Sequence, residues 1–173
     1  VCSSDLGLHR LAGPHMDAFI TYFTTVINTL WLWAILAAAG LWKRRSRWVT
    51  LTIIVAVILA ILVGDVAIKH FVMRIRPYLV IPGAPTLDTL KYPISYSFPS
   101  GHSFFFFAGA TVLFRSCRRL GIAAYGLACV VAFSRMYLFM HFPSDVLTGA
   151  VLGIIIGNIA WQICGYAKKR LSH

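Results

Sequence analysis

Apolar runs long enough to cross a bilayer recur along this chain, with charged residues gathered at their ends. A helix needs about 20 apolar residues to traverse a hydrocarbon core of about 30 Å. Ala18–Trp42, Trp48–Lys69, Leu120–Met140 and Val146–Ala167 approach or exceed that length. A shorter run, His102–Phe114, reaches it only if its helix begins near Ser100 and continues to about Cys117. Only 12% of the 173 residues are charged, against about 25% in a soluble domain, and the mean hydropathy is +0.78. The expected fold is all-α, a polytopic transmembrane bundle of about five to six helices.

The chain carries no linker, internal repeat or low-complexity stretch, so residues 7–173 read as one membrane domain. Val1–Leu6 back-translates to the end of a common sequencing adapter and is expected to be a cloning or assembly scar outside the fold. Gly7–Phe19 reads as an interfacial entry segment, with Asp17 at a helix start. Ala18–Trp42 is either one tilted helix or two broken near Asn28–Thr29. Phe71–Pro99 is the long stretch outside the spans; it holds five of the seven prolines, and Pro82–Gly83 marks a turn. Pro143 is placed to restart a helix, since proline suits a first turn.

The net charge is +11. Ten of the 16 Lys and Arg fall in three clusters: Lys43–Arg47, Arg115–Arg119 and Lys168–Arg170. Basic loops beside apolar runs are the signature of cytoplasmic loops. Counting crossings puts all three clusters on one face and the remaining cations on the other, which is therefore expected to be extracytoplasmic. No basic face with interleaved aromatics lies outside the spans, which argues against a nucleic-acid partner. Cys117, Cys129 and Cys164 lack metal-ligand spacing and read as buried free thiols.

Three short stretches stand apart from this pattern. In the first, Lys69 and Arg76 lie seven residues apart before Pro77. If the helix continues, two turns bring both cations to one side, where a guanidinium forks phosphate oxygens. In the second, Pro99-Ser100-Gly101-His102 opens a span. Ser100 is an N-cap candidate, Gly101 lets the backbone approach a ligand, and the helix N-terminus seats an anion. His102, in the first turn, is placed to give a proton to a leaving oxygen. In the third, Ser134-Arg135 precedes His141 and Asp145. A carboxylate four residues on would meet His141 across one turn, fix its tautomer and leave Nε2 as a nucleophile. Singly, each motif also fits a bland role: a snorkelling pair, an ordinary cap, an interfacial His with a capping Asp. Charged groups at membrane depth are costly and usually functional, and three such motifs on one face point to phosphate chemistry. Asp65, one turn before Lys69, reads as its balancing partner.

The Lys-x6-Arg-Pro, Pro-Ser-Gly-His and Ser-Arg-x5-His-x3-Asp pattern resembles the type 2 phosphatidic acid phosphatase superfamily, over about residues 17–167 with its motif core at 69–145. The resemblance implies a helical bundle and a phosphohistidine mechanism with no metal and no cofactor. By motif position it makes His141 the nucleophile, Asp145 its orienting partner and His102 the acid for the leaving group. Lys69, Arg76, Ser100, Gly101 and Arg135 would hold the phosphoryl oxygens. Length and layout resemble the small bacterial members that act on undecaprenyl diphosphate. The implied partners are a membrane lipid phosphate and the bilayer, and the implied location is a bacterial plasma membrane with the site facing outward. Phosphatidic acid and phosphatidylglycerol phosphate are the alternative substrates. A vanadate-dependent haloperoxidase shares the motifs but is soluble and much longer. A non-catalytic lipid carrier would be favoured by loss of either histidine, and both are present.

Overall fold

The computed structural model describes residues 13–27, 40, 46–81, 84 and 94–171. The Val1–Leu6 segment, the choice between one helix and two after Ile27, and the Pro82–Gly83 turn lie outside the described residues. The helices are α1 (Pro14–Ile27), α2 (Arg47–Ala60), α3 (Lys69–Val72), α4 (Pro77–Val80), α5 (Gly101–Ser116), α6 (Arg118–Tyr137) and α7 (Pro143–Leu171), with a π-helical segment at Ile61–Ile68 joining α2 to α3. No strand occurs among the described residues. The segments Arg47–Val80, Arg118–Tyr137 and Pro143–Arg170 are long and apolar enough to cross a membrane.

α5 is the central helix. It packs on α7, α6 and α2, while α1 lies against α6. It has 16 residues, or about 24 Å of rise. Ser100 caps its start and Cys117 its end, the limits that span length alone required. Ala56 of α2, Ala108 and Val112 of α5 and Ala160 of α7 form a buried cluster, with Val49, Ile53, Leu59 and Trp161 packed around it. Lipid tails are as apolar as leucine, so helices in a membrane associate through close packing rather than hydrophobic exclusion.

The closest packing is between α5 and α7, and glycine permits it. Gly149, Gly153 and Gly157 recur every fourth residue and share one stripe of α7. A Cβ added at these positions would sit 2.6, 2.6 and 2.7 Å from the carbonyl oxygens of Ser100, Phe104 and Ala108. Only a bare Cα fits there. The stripe therefore sets the register of α5 on α7, and with it the separation of their N-termini. There the Ser100 N–H donates to the Asp145 carbonyl at 3.0 Å.

Three expectations are corrected. Cys117 and Cys129 are exposed on the outside of the bundle and Cys164 is half-buried, so none of the three is a buried thiol. The helix carrying Lys69 does not run on to Arg76. It ends at Val72, Met73 adopts a left-handed conformation with φ 50°, and the chain reaches α4 through the irregular residues 73–76. α1 starts at Pro14 rather than Asp17, which lies in its first turn. The Asp17 carboxylate accepts from the Tyr137 hydroxyl at 2.6 Å, tying α1 to the end of α6.

Candidate active site

Lys69 reaches the site from the end of the π-helical segment. It is ion-paired with Asp65 one turn earlier, as the sequence spacing suggested. Arg76 arrives by a different route from the one expected. After the break at Met73, its buried guanidinium is gripped by backbone. Nε donates to the Ser95 carbonyl at 2.6 Å. Nη2 donates to Ser95 Oγ at 2.9 Å and to the Tyr96 carbonyl at 3.2 Å. Nη1 donates to the Met140 carbonyl at 2.9 Å and to His141 Nε2 at 3.2 Å. All five N–H groups have partners, so Arg76 organises the loop 94–100 against the loop holding His141, and a phosphate must exchange for some of these contacts.

Ser100 is the N-cap of α5, its side chain accepting from the Ser103 N–H at 3.5 Å. Gly101 follows against the Asp65 carboxylate, 3.2 Å from where a Cβ would stand. His102 projects from the first turn toward the ring of Phe105.

α6 ends at Tyr137, and Phe139 takes a left-handed φ of 52°. That turn carries the chain back so that the Met140 N–H donates to the Arg135 carbonyl at 3.1 Å. Arg135 is almost fully buried. Its side chain meets only weak neutral acceptors among the described residues: Ser134 Oγ at 3.3 Å, Met140 Sδ at 3.7 Å and Thr24 Oγ1 of α1 at 3.2 Å.

His141 is held from both ring nitrogens. Nδ1 lies 2.7 Å from the Ser97 carbonyl, which only accepts, so Nδ1 carries the hydrogen. Nε2 faces a guanidinium, which only donates, so Nε2 bears the lone pair. Burial pushes the imidazole below its ordinary pKa and Arg76 pushes the same way, against the raising effects of Asp145 and the Ser97 carbonyl. The ring is neutral at neutral pH, with its Nε2 lone pair on Arg76 at the cavity wall.

The expected direct bond from Asp145 to His141 is absent. Nδ1 and Asp145 Oδ2 are 3.9 Å apart, beyond hydrogen-bond range. The one-turn rule holds only inside a helix, and α7 begins at Pro143, after His141. Asp145 Oδ2 instead accepts the Phe142 N–H at 2.9 Å and the Ser97 hydroxyl. Oδ1 pairs with Arg74 Nη1 at 2.8 Å.

A cavity of about 240 Å³ gathers Lys69, Arg76, Gly101, His102, Arg135 and His141 on its wall, with Asp65 beside Lys69. Ser100 and Asp145 lie behind that wall. Ser97, Arg74 and Thr24 join the site without having been expected there. Arg74 offered a signal as a third cation inside the first motif. Ser97 acts here through a backbone carbonyl as much as a hydroxyl, and Thr24 belongs to a distant apolar run; neither offered one. The arrangement sets a neutral imidazole beside three cations and a second histidine, a grouping that can bind an anion such as phosphate and present a ring nitrogen to it.

The family model of the PAP2 superfamily matches residues 47–169. The chain is 32% identical over 134 residues to an undecaprenyl-diphosphatase of Sulfolobus acidocaldarius, an alignment covering 77% of this chain and 64% of that one. It thus spans somewhat under two thirds of that relative's length. It is 36% identical over 147 residues to a decaprenylphosphoryl-5-phosphoribose phosphatase of Mycobacterium tuberculosis, covering 79% of this chain and 74% of that one. Among solved structures it resembles LpxE of Aquifex aeolicus, with a TM-score of 0.79 and 25% identity over 92% of this chain and 93% of that one.

Proposed function

Because this chain belongs to the PAP2 superfamily, we propose that it is a multi-pass membrane phosphatase acting on a lipid phosphate or diphosphate through a phosphohistidine. The observation that carries this reading is the state of His141: neutral, with Nδ1–H bonded and Nε2 paired with Arg76 at the wall of a cavity lined by cations.

In the proposed reaction the terminal phosphate enters among Lys69, Arg76 and Arg135. His141 Nε2 attacks phosphorus, the bond to the lipid-side oxygen breaks, and His102 gives that oxygen its proton. The Nδ1 proton stays in place, so the phosphorylated ring is cationic, and Asp145 lies near enough to support that charge. His102 then takes a proton from the water that cleaves the N–P bond, which returns the site to its starting state. The three cations meet charge that spreads over the phosphoryl oxygens in the transition state, where fixed electrostatic partners contribute most. The Ser100–Gly101 turn presents the α5 N-terminus to the same oxygens.

Undecaprenyl diphosphate is the substrate we favour, supported by the name of the Sulfolobus relative and by the chain's layout. The basic clusters support a site on the extracytoplasmic face. The test is phosphate release in detergent from undecaprenyl diphosphate, undecaprenyl phosphate, phosphatidic acid and phosphatidylglycerol phosphate. The expected order puts undecaprenyl diphosphate first in kcat/KM. Preference for either glycerolipid would replace the substrate, and no release from any lipid would sink the function.

A further inference from the structure

We propose that Ser97 is the positioning residue for His141, and that Arg74 and Asp145 act on the nucleophile through it. The inference rests on the proposed phosphohistidine reading and divides the orienting role differently from a simple His–Asp pair.

Ser97 is completely buried, and its polar groups have separate tasks. Its carbonyl accepts His141 Nδ1–H at 2.7 Å. Its N–H donates to the Arg74 carbonyl at 2.7 Å. Its hydroxyl donates to Asp145 Oδ2. Both donors of Ser97 thus fix the position of its one backbone acceptor. Arg74 closes the loop: Nη1 reaches Asp145 Oδ1 and Ser144 Oγ, each at 2.8 Å, and its guanidinium lies 4.0 Å over the Phe142 ring. Arg74, two residues ahead of Arg76, therefore clasps both the 94–100 loop and the start of α7. A carbonyl fixes a tautomer as firmly as a carboxylate but brings no countercharge. Orientation falls to Ser97, held in place by Arg74 and Asp145, and Asp145 also supports the cationic phosphohistidine through space.

The experiment labels histidine ring nitrogens with 15N in the full chain in detergent micelles, with His141 assigned by its loss in His141→Ala. Phosphohydrolysis is measured on the same samples. The parent should show one tautomer, protonated at Nδ1. Ser97→Ala keeps the carbonyl and removes the hydroxyl tether. It should mix the tautomers and lower kcat by about 10–100-fold, the loss seen when a metal-bound imidazole is deprived of its orienting partner, with KM within about twofold. Combining Ser97→Ala with Asp145→Asn should cost little more than Asp145→Asn alone, because both cut one network. Arg74→Gln should mix the tautomers as well, and Arg74→Lys should restore part of the loss. The Arg74 pair carries the test if Ser97→Ala does not fold. A single Nδ1–H tautomer and parental kcat in Ser97→Ala would overturn the inference. So would loss of that tautomer in Asp145→Asn together with its retention in Ser97→Ala, which would return the role to the carboxylate. A parent without turnover whose tautomer still depends on Ser97 would sink the phosphatase reading and sustain this one.

Discussion

At the scale of single residues, the site rests on two contacts that hold one imidazole neutral and aimed. His141→Ala should abolish lipid phosphate release in protein that still folds in detergent, and a rapid alkaline quench should trap a base-stable, acid-labile phosphoenzyme in the parent only. The pH dependence has a definite sign. A nucleophile must be unprotonated, and the His141 pKa is held below its ordinary value, chiefly by burial. Activity should fall as pH drops through that pKa, so the acid limb of kcat/KM should lie below about 6.5, and an alkaline limb should follow where His102, the proposed acid, loses its proton. Asp145 raises the His141 pKa; Asp145→Asn should therefore move the limb to still lower pH while reducing kcat. An unmoved limb would mean it reports another group. Thr24 offers a separate check, because it lies on α1, outside the stretch matched by the family model, yet receives Arg135 at 3.2 Å. Thr24→Val removes that acceptor from a buried cation. Losing a hydrogen bond to a charged group costs about 1.5–3 kcal/mol, so loss of Arg135 order should raise KM by about tenfold or more. A KM equal to the parent's would free α1 of any role in the site.

Among the helices, the α5–α7 contact is the one on which the site depends. The two helices carry His102 and Asp145 near their N-termini, and the glycine stripe fixes their relative height. A methyl at Gly153 would meet the Phe104 carbonyl at 2.6 Å and Phe107 Cβ at 2.9 Å. Overpacking of this kind costs about 1–3 kcal/mol, and backbone on the opposing side leaves little to yield. Gly153→Ala should lower the thermal midpoint in detergent and reduce activity with it. A Cβ added at Gly126 of α6 would meet nothing within 4 Å. Gly126→Ala should therefore leave the midpoint unchanged or raised, since alanine is the better helix former. Equal midpoints for the two variants would remove the stripe from the account of the fold. The π-helical segment at Ile61–Ile68 matters at the same scale. Such widenings occur often at functional sites, and this one delivers Asp65 and Lys69 to the cavity wall together.

For the whole molecule, the open matter is which leaflet the cavity serves, and charge supports the outer one. Ile94 is fully exposed on the loop beside the cavity, whereas Cys117 is exposed at the basic turn between α5 and α6. In a background without the other native cysteines, Ile94→Cys should react with an impermeant thiol reagent on intact cells. Cys117 should react only after lysis. The reverse pattern would invert the protein and move its substrate pool to the cytoplasmic leaflet, with the chemistry unchanged.

The limits of α5 at Ser100 and Cys117, the helix restart at Pro143 and the Asp65–Lys69 pair were all legible in the sequence. Each depends on local chemistry: span length, capping, a proline in a first turn, a one-turn ion pair. The tertiary structure alone decided the rest. Met73 and Phe139 adopt left-handed turns that L side chains rarely take, so no residue type announced the break that frees Arg76 or the reversal that aims His141. The glycine stripe acquires meaning only against the carbonyls of α5. The partner of His141 Nδ1 is a backbone oxygen, a group every residue possesses, and only the folded chain selects the one at Ser97.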